Sequence, residues 1–214
     1  MTIAFLHTAD VHVGTFTDLV DELAPGTPTA HVVDADLLAG ARAAGGVDAA
    51  LTERLAARLA EAAAGAGVVV CTCSTLAGPA EALGPIAGVP VLRIDRPMAE
   101  TAVAHGPRVV VVAAVASTLG PTVDLLTGCA AAAGTPIRVT TVLVEDAWAA
   151  FEAGDLGGYE RRIADAVDGA APGADVVVLA QASMAGAADL VETPVPVLSS
   201  PRAAVLAALE VLGA

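Results

Sequence analysis

Two stretches of the chain decide its fold. Val68–Glu81 reads VVVCTCSTLAGPAE, and Val176–Asp189 reads VVVLAQASMAGAAD. A second pair, Gly14–Leu19 (GTFTDL) and Gly120–Leu125 (GPTVDL), repeats at almost the same spacing. The offsets are 108 and 106 residues, close to half of the 214 residues. Apolar runs align easily by chance, but a consistent offset and a shared Ala-Gly-x-Ala-acid ending do not. The sequence therefore predicts two homologous halves.

Short apolar runs rich in β-branched residues alternate with Ala- and Leu-rich segments of helical period. This alternation predicts right-handed crossovers and parallel sheets covered by helices. The candidate strands are Ile3–His7, His31–Asp34, Val68–Cys71, Val89–Ile94, Val109–Val115, Ile137–Leu143, Val176–Ala180 and Val195–Leu198. The candidate helices include Ala49–Ala64, Thr122–Ala133, Tyr159–Val167 and Ala203–Leu212.

The predicted fold is α/β, with two pseudo-symmetric lobes that each hold a parallel, flavodoxin-like sheet flanked by helices. Residues 1–98 and 195–214 are assigned to the first lobe, and residues 99–194 to the second. A strand order of 2-1-3-4 is expected in each sheet. Ligands of such sheets bind at the carboxyl ends of the strands, near the point where the strand order reverses. We therefore expect a ligand cleft between the two lobes.

The composition limits the chemistry that the chain can perform. All ten basic residues are arginines. Without lysine there is no internal Schiff base with pyridoxal phosphate, no lysine-dependent aldolase and no phosphate-loop lysine. No Cys/His spacing resembles a zinc site, and no Gly-x-Gly-x-x-Gly motif follows a strand. We expect neither an organic cofactor nor a metal.

Charge and hydropathy limit the kinds of partner that the chain can bind, and its cysteines indicate a cellular compartment. A net charge of −14 argues against nucleic acid, because phosphate binding needs clustered Lys and Arg. No apolar run reaches the roughly 18–20 residues that a membrane span requires. Three cysteines at unpatterned spacings fit a reducing cytoplasm better than a disulfide framework. The expectation is a cytoplasmic protein that binds neither nucleic acid nor membrane, with homo-oligomerisation left open.

Polar side chains collect where the predicted strands end. In the 2-1-3-4 order the first and third strands are neighbours, so His7 and Cys73 should lie side by side. The other two cysteines, Cys71 in a Val run and Cys129 in an Ala-rich helix, are predicted to be buried and structural. The second lobe brings its own set of polar residues to the same edge: Ser117, Thr118, Gln181 and Ser183.

One motif resembles a known family. Cys73-Ser74-Thr75 is similar to the Cys-Asn-Thr motif in the first lobe of the aspartate/glutamate/hydantoin racemase superfamily. That family has two pseudo-symmetric α/β lobes and carries Gly-Cys-Thr-His in the second. The internal repeat places Gln181 at the position of the second cysteine. The resemblance covers most of the chain, with one of the two family cysteines missing.

Two further turns resemble the same family. His7-Thr8 stands where the family has Asp-Ser after its first strand, and Ser117-Thr118 resembles its threonine-rich turn. The resemblance implies a cofactor-independent enzyme in which one thiolate removes the proton α to a carboxylate and a second thiol returns one from the other face. Here it implies Cys73 as the single acid/base, with His7 as its partner. A helix N-terminus favours a thiolate, so we expect a depressed pKa for Cys73.

The implied substrate is a small carboxylate or amino-acid-like molecule held by neutral donors. The predicted substrate-binding residues are Thr8, Ser74, Thr75, Ser117, Thr118, Gln181 and Ser183. Their hydroxyls could equally cap helices, and the two roles are compatible. One thiol serves one face of a substrate, which suits a stereospecific decarboxylase or isomerase. It also suits a racemase with a different second base. The alternative class is a non-catalytic protein that binds small carboxylates with the same fold.

Overall fold

The computed structural model describes residues 1–213. Its strands β1–β8 are Thr2–His7, Thr29–Val33, Ala66–Cys71, Val91–Arg93, Arg108–Ala113, Arg138–Leu143, Val176–Leu179 and Val197–Leu198. Its helices α1–α9 are Val11–Leu23, Ala35–Ala44, Ala49–Ala63, Ser74–Ala82, Arg96–His105, Ala116–Ala133, Glu145–Glu152, Leu156–Ala170 and Ser200–Leu212. A 3₁₀ helix spans Ala182–Asp189.

The strands of residues 1–213 form two four-stranded parallel sheets with the same topology. The first sheet has the order β2-β1-β3-β4, and the second has the order β6-β5-β7-β8. In the first sheet Phe5 pairs with His31 on one side and with Val70 on the other. In the second sheet Val111 pairs with Thr141 and with Val178 in the same way. The predicted α/β fold with two repeated parallel sheets is confirmed.

The central strands are apolar throughout because helices cover both faces of each sheet. The last four residues of β3 and all four of β7 are buried. Helix α3 buries one stripe, which includes Leu55 and Leu59, as expected for an amphipathic helix with one face on the sheet. Asp48 caps its N-terminus by accepting a hydrogen bond of 2.8 Å from the N–H of Leu51.

The chain divides into two compact units at boundaries that differ from the predicted ones. The first unit is Met1–Ile94 with the chain from Pro201 onward, and the second is Asp95–Ser200. Residues 195–200, assigned from the sequence to the first lobe, belong to the second unit. The reason is that β8 pairs with β7, with Val177 opposite Val197. Residues 95–98 also move to the second unit, because they begin α5.

Several predicted elements change length in the structure. The candidate strand Val89–Ile94 shortens to β4, and the candidate helix Thr122–Ala133 begins six residues earlier, at Ala116. Ser117 and Thr118 therefore lie in the first turn of α6. Helix α1 was not among the predicted helices. No helix within residues 1–213 is both long enough and apolar enough to span a membrane.

The two faces of the first sheet carry different side chains, and this alternation positions the site. On one face Leu6 and Cys71 pack in a core cluster with Leu59 of α3. On the other face the ring of Phe5 lies 4.9 Å from that of Phe16 on α1. Because successive residues of a strand point to opposite faces, the residues at the strand ends are sorted in the same way.

Candidate active site

Cys73 lies two residues after the last residue of β3 and is the N-cap residue of α4. Its carbonyl accepts hydrogen bonds from the N–H groups of Leu76 (2.9 Å) and Ala77 (2.8 Å). The hydroxyls of Thr8 and Thr75 and the backbone N–H groups of Thr75 and Leu76 lie around its sulfur and act to lower its pKa. These donors are all neutral. They can stabilise negative charge on the sulfur without supplying a formal positive charge.

The expected depression of the Cys73 pKa is wrong. Burial raises the pKa of the Cys73 thiol above its ordinary value, since only 8% of the residue is exposed. The hydrogen bonds from Thr8, Leu76 and Thr75 act in the opposite direction but do not outweigh the loss of water. At neutral pH the group is therefore a protonated thiol, poised to give a proton rather than to take one.

Ser74 presents an unsatisfied polar group next to the thiol. Its side chain is buried, and its Oγ has no hydrogen-bond partner among residues 1–213. Buried hydroxyls are nearly always hydrogen-bonded in folded proteins, so an exception calls for a partner such as a ligand or a water. The first turn of a helix also favours negative charge. Ser74 could therefore bind a carboxylate oxygen at the N-terminus of α4.

His7 is buried, and both of its ring nitrogens are engaged away from Cys73. Nδ1 lies 2.8 Å from Oγ1 of Thr72, and Nε2 lies 2.9 Å from Nδ1 of His31. His31 in turn places its Nε2 3.1 Å from Oγ1 of Thr17. The direct pairing of His7 with Cys73 that the sequence suggested is replaced by a Thr8–Cys73 hydrogen bond.

Strand alternation explains this exchange of partners. His7 shares its face of β1 with Phe5 and contacts Phe16 of α1, at a ring distance of 5.5 Å. Thr8 continues the opposite series, on the side where Cys73 packs with the α3 and α4 residues. A period of two along the strand was visible in the sequence. It could have identified Thr8 as the neighbour of Cys73, and Thr72 as the neighbour of His7.

The histidines of the first unit form an uncharged cluster. Desolvation lowers the pKa of His7 from 6.5 to about 3, with smaller contributions from the nearby His12 and His31. Burial also lowers the pKa of His12 to about 4 and lowers that of His31. The rings of His7 and His31 stack at 5.2 Å. At neutral pH this cluster supplies hydrogen bonds and packing to the strand ends, but no positive charge near the sulfur of Cys73.

Gln181 occupies in the second unit the place that Cys73 occupies in the first. It follows β7 and is the N-cap residue of the 3₁₀ helix. Its Oε1 accepts hydrogen bonds from the backbone N–H groups of Ala114 (2.7 Å) and Val115 (3.0 Å), just after β5. Gln181 is also the only side-chain amide in the chain, which contains no asparagine and no other glutamine.

The remaining predicted residues of the second unit have local partners. Thr118 is buried, and its N–H donates to the carbonyl of Val115 at 3.0 Å. Ser117 is half-buried one residue earlier in α6. The Oγ of Ser183 lies 2.8 Å from the buried hydroxyl of Tyr159. The hydroxyl of Ser183 thus joins the 3₁₀ helix to α8, a link that sequence reasoning did not anticipate.

Within the described range 1–213, no group of three or more His, Cys, Asp or Glu side chains is placed to hold a metal ion. The rings of His7, His12 and His31 lie near one another, but both ring nitrogens of His7 and of His31 are hydrogen-bonded to each other or to threonines. Hydrogen bonds therefore link Thr72, His7, His31 and Thr17 in a chain.

A family model matches nearly the whole chain. The model described as Asp/Glu/Hydantoin racemase matches residues 15–208. No curated protein sequence matches.

Solved structures of racemases share the fold. The aspartate racemase of Picrophilus torridus is 12% identical, with a TM-score of 0.73 over 99% of this chain and 94% of that one. A glutamate racemase of Francisella tularensis in complex with D-glutamate is 11% identical, with a TM-score of 0.71 over 99% and 81%. The allantoin racemase of Pseudomonas fluorescens is 21% identical, with a TM-score of 0.56 over 100% and 92%.

Proposed function

Because the chain belongs to the Asp/Glu/hydantoin racemase family, we propose that it is a cofactor-independent, racemase- or isomerase-like enzyme. It transfers a proton at the carbon α to a carboxylate or a related carbonyl, and Cys73 is the acid/base. The observation that carries the proposal is the environment of the Cys73 thiol. The thiol is buried at the N-terminus of α4 and is surrounded by the donor groups of Thr8, Thr75 and Leu76, which act to lower its pKa.

The raised pKa of Cys73 gives the thiol a definite role. When a bond at the α-carbon breaks, the electron pair moves into an enolate-like group. The protonated sulfur then gives its proton to that carbon, and the S–H bond is replaced by a C–H bond. The thiolate that remains is stabilised by the hydroxyls of Thr8 and Thr75 and by two backbone N–H groups. In the reverse direction the thiolate removes the proton.

Neutral hydrogen-bond donors around Cys73 suit a carboxylate substrate. The orphaned hydroxyl of Ser74 and the first turn of α4 can bind one carboxylate oxygen, and Thr8 and Thr75 add hydroxyls beside the sulfur. In the second unit we propose Ser117, Thr118, Gln181 and Ser183 as ligand-binding residues, because the internal repeat and the family resemblance point to them. We infer a small carboxylate or amino-acid-like substrate, in keeping with the D-glutamate bound to the related F. tularensis enzyme.

The replacement of the second cysteine by Gln181 supports chemistry on one face of the substrate. An amide neither gains nor loses a proton near neutral pH, so it cannot return a proton as a thiol does. A single thiol is sufficient for a stereospecific decarboxylase or isomerase. A racemase with this arrangement would require a second base other than Gln181.

A second candidate function is a non-catalytic protein that binds small carboxylates. The buried, protonated state of the Cys73 thiol favours it, because such a thiol is a weak base at neutral pH. The hydrogen-bond donors of the site would then serve binding alone. Turnover or isotope exchange separates the two candidates.

Alkylation by iodoacetamide tests the proposed site. We expect Cys73 to react first among the three cysteines, with an apparent pKa above that of a free thiol. Cys71 is fully buried, and Cys129 lies against the second sheet. Succinate, methylsuccinate, aspartate, glutamate or hydantoin should slow the reaction at Cys73 by occupying the site. Peptide mapping after short exposures from pH 7 to pH 10 gives the rates. Earlier labelling of Cys71 or Cys129, or no protection by any of these compounds, would refute the assignment.

A further inference from the structure

Gln181 is a residue whose chemical role the family resemblance does not supply. We infer that it is a fixed hydrogen-bond donor of the second unit. Its Nε2 binds a carbonyl or carboxylate oxygen of the ligand and discriminates against an ammonium group at that position. The inference rests on the proposed function, which it extends to the class of ligand group that Gln181 accepts.

The orientation of the Gln181 amide is fixed by its anchors. Two consecutive backbone N–H groups, of Ala114 and Val115, point to one atom at 2.7 and 3.0 Å. Only the carbonyl oxygen of the amide can accept both bonds, so Oε1 must be the anchored atom and Nε2 the outer one. Rotating the amide by 180° would place two donors against two donors. The ligand therefore meets N–H groups only.

The outer end of the amide still lacks a partner. Nε2 makes no hydrogen bond to any group within residues 1–213, although Gln181 is only 9% exposed. The nitrogen is not one of the fully buried atoms without a partner, which are Oγ of Ser74 and Oγ of Ser200 among residues 1–213, so its two donors are open to a ligand or to water. The two bonds to Oε1 also polarise the amide, which strengthens its N–H donors by cooperativity.

The local structure places this donor where the first unit places its thiol. Gln181 and Cys73 each follow the corresponding strand, β7 or β3, and each is the N-cap of the next helix. Each also bonds to the segment after the neighbouring strand: Ala114 and Val115 after β5, or Thr8 after β1. The position that carries a proton-transfer group in one unit thus carries a donor in the other.

A matched pair of ligands and one substitution test the donor role. Methylsuccinate and aspartate are both succinates substituted at carbon 2, with a methyl group in the first and an ammonium group in the second. Gln181→Glu keeps an oxygen for Ala114 and Val115, so the fold is retained, but it turns the outward donor into an acceptor with negative charge. Wild-type protein is expected to prefer methylsuccinate over aspartate. In Gln181→Glu the affinity for methylsuccinate should fall about 10–100-fold, and the preference should shift towards aspartate. Calorimetry measures both, and thermal unfolding checks the fold. An unchanged ratio of the two affinities overturns the inference.

A second measurement uses wild-type protein only. Because the chain has one side-chain amide, the ¹⁵N–¹H spectrum should contain a single NH₂ pair, from Gln181. Saturating methylsuccinate is expected to shift this pair. If methylsuccinate protects Cys73 from iodoacetamide but does not shift the NH₂ pair of Gln181, this inference is wrong. The proposed function is not affected by that result. Absence of protection by succinate, methylsuccinate, aspartate, glutamate and hydantoin overturns both.

Discussion

Changing Cys73→Ala is expected to lower the rate of proton transfer at the α-carbon by about 10²–10⁴-fold, the usual contribution of a positioned acid or base. The reason is that the variant keeps the donors on Thr8 and Thr75 but removes the group that carries the proton. Ligand affinity should change much less than the rate. Solvent exchange of the substrate α-proton, followed by NMR, measures the loss.

The matched control is Cys129→Ala. Cys129 is a buried thiol of α6, packed in the core of the second unit. Its replacement should leave the exchange rate near that of the wild type and lower the stability modestly, through lost packing. Equal exchange by Cys73→Ala and wild-type protein would show that another group performs the chemistry.

Acidification is expected to destabilise the protein through its neutral histidines. The fold holds the pKa of His7 at about 3, below its ordinary value of 6.5. Between these two values the unfolded chain binds a proton at His7 and the folded chain does not. The stability that the protein has with a neutral His7 is present in full above about pH 6.5 and is lost as the pH falls towards 3. Between pH 7 and pH 5, His7 alone should lower the free energy of unfolding by about 2 kcal/mol. His12, with its pKa at about 4, adds in the same direction.

Urea unfolding at pH 7, 6 and 5 measures this loss, in a range where most carboxylates remain ionised. His7→Gln keeps a donor and an acceptor but does not titrate, so its stability should fall by about 2 kcal/mol less across the range. His105 is exposed at the end of α5 and provides the control. His105→Gln is expected to behave as the wild type. An unaltered pH dependence in His7→Gln would show that His7 is charged in the folded protein.

The repeat carried enough information to predict the fold. Val68–Glu81 and Val176–Asp189 place equivalent strands and turns in each half, and the structure gives both sheets the same strand order. A further repeat in the sequence indicates where the lobe boundary lies. Val89–Leu92 and Val195–Leu198 both read VPVL, which places β8 in the second sheet as β4 stands in the first.

The candidate site was predicted less completely, because its chemistry depends on contacts across the sheet. The position of Cys73 follows from its motif, and its neighbour Thr8 follows from strand alternation. The direction of the Cys73 pKa shift cannot be read from the sequence, since it is a balance between burial, which raises the pKa, and the neighbouring donor groups of Thr8, Leu76 and Thr75, which lower it. The anchoring of Gln181 by Ala114 and Val115 likewise depends on the pairing of β5 with β7.

The central claim is that Cys73 transfers a proton on one face of the substrate. It is tested most directly by incubating wild-type protein in D₂O at pH 8–9 with single enantiomers of the carboxylates that protect Cys73. Mass spectrometry and chiral chromatography then follow isotope and configuration together. We predict that deuterium enters the α-position of one enantiomer with retention of configuration, at a rate that rises with pH as the thiolate forms. Conversion to the opposite enantiomer at an enzymatic rate would contradict the claim, because it requires a second base that Gln181 cannot provide.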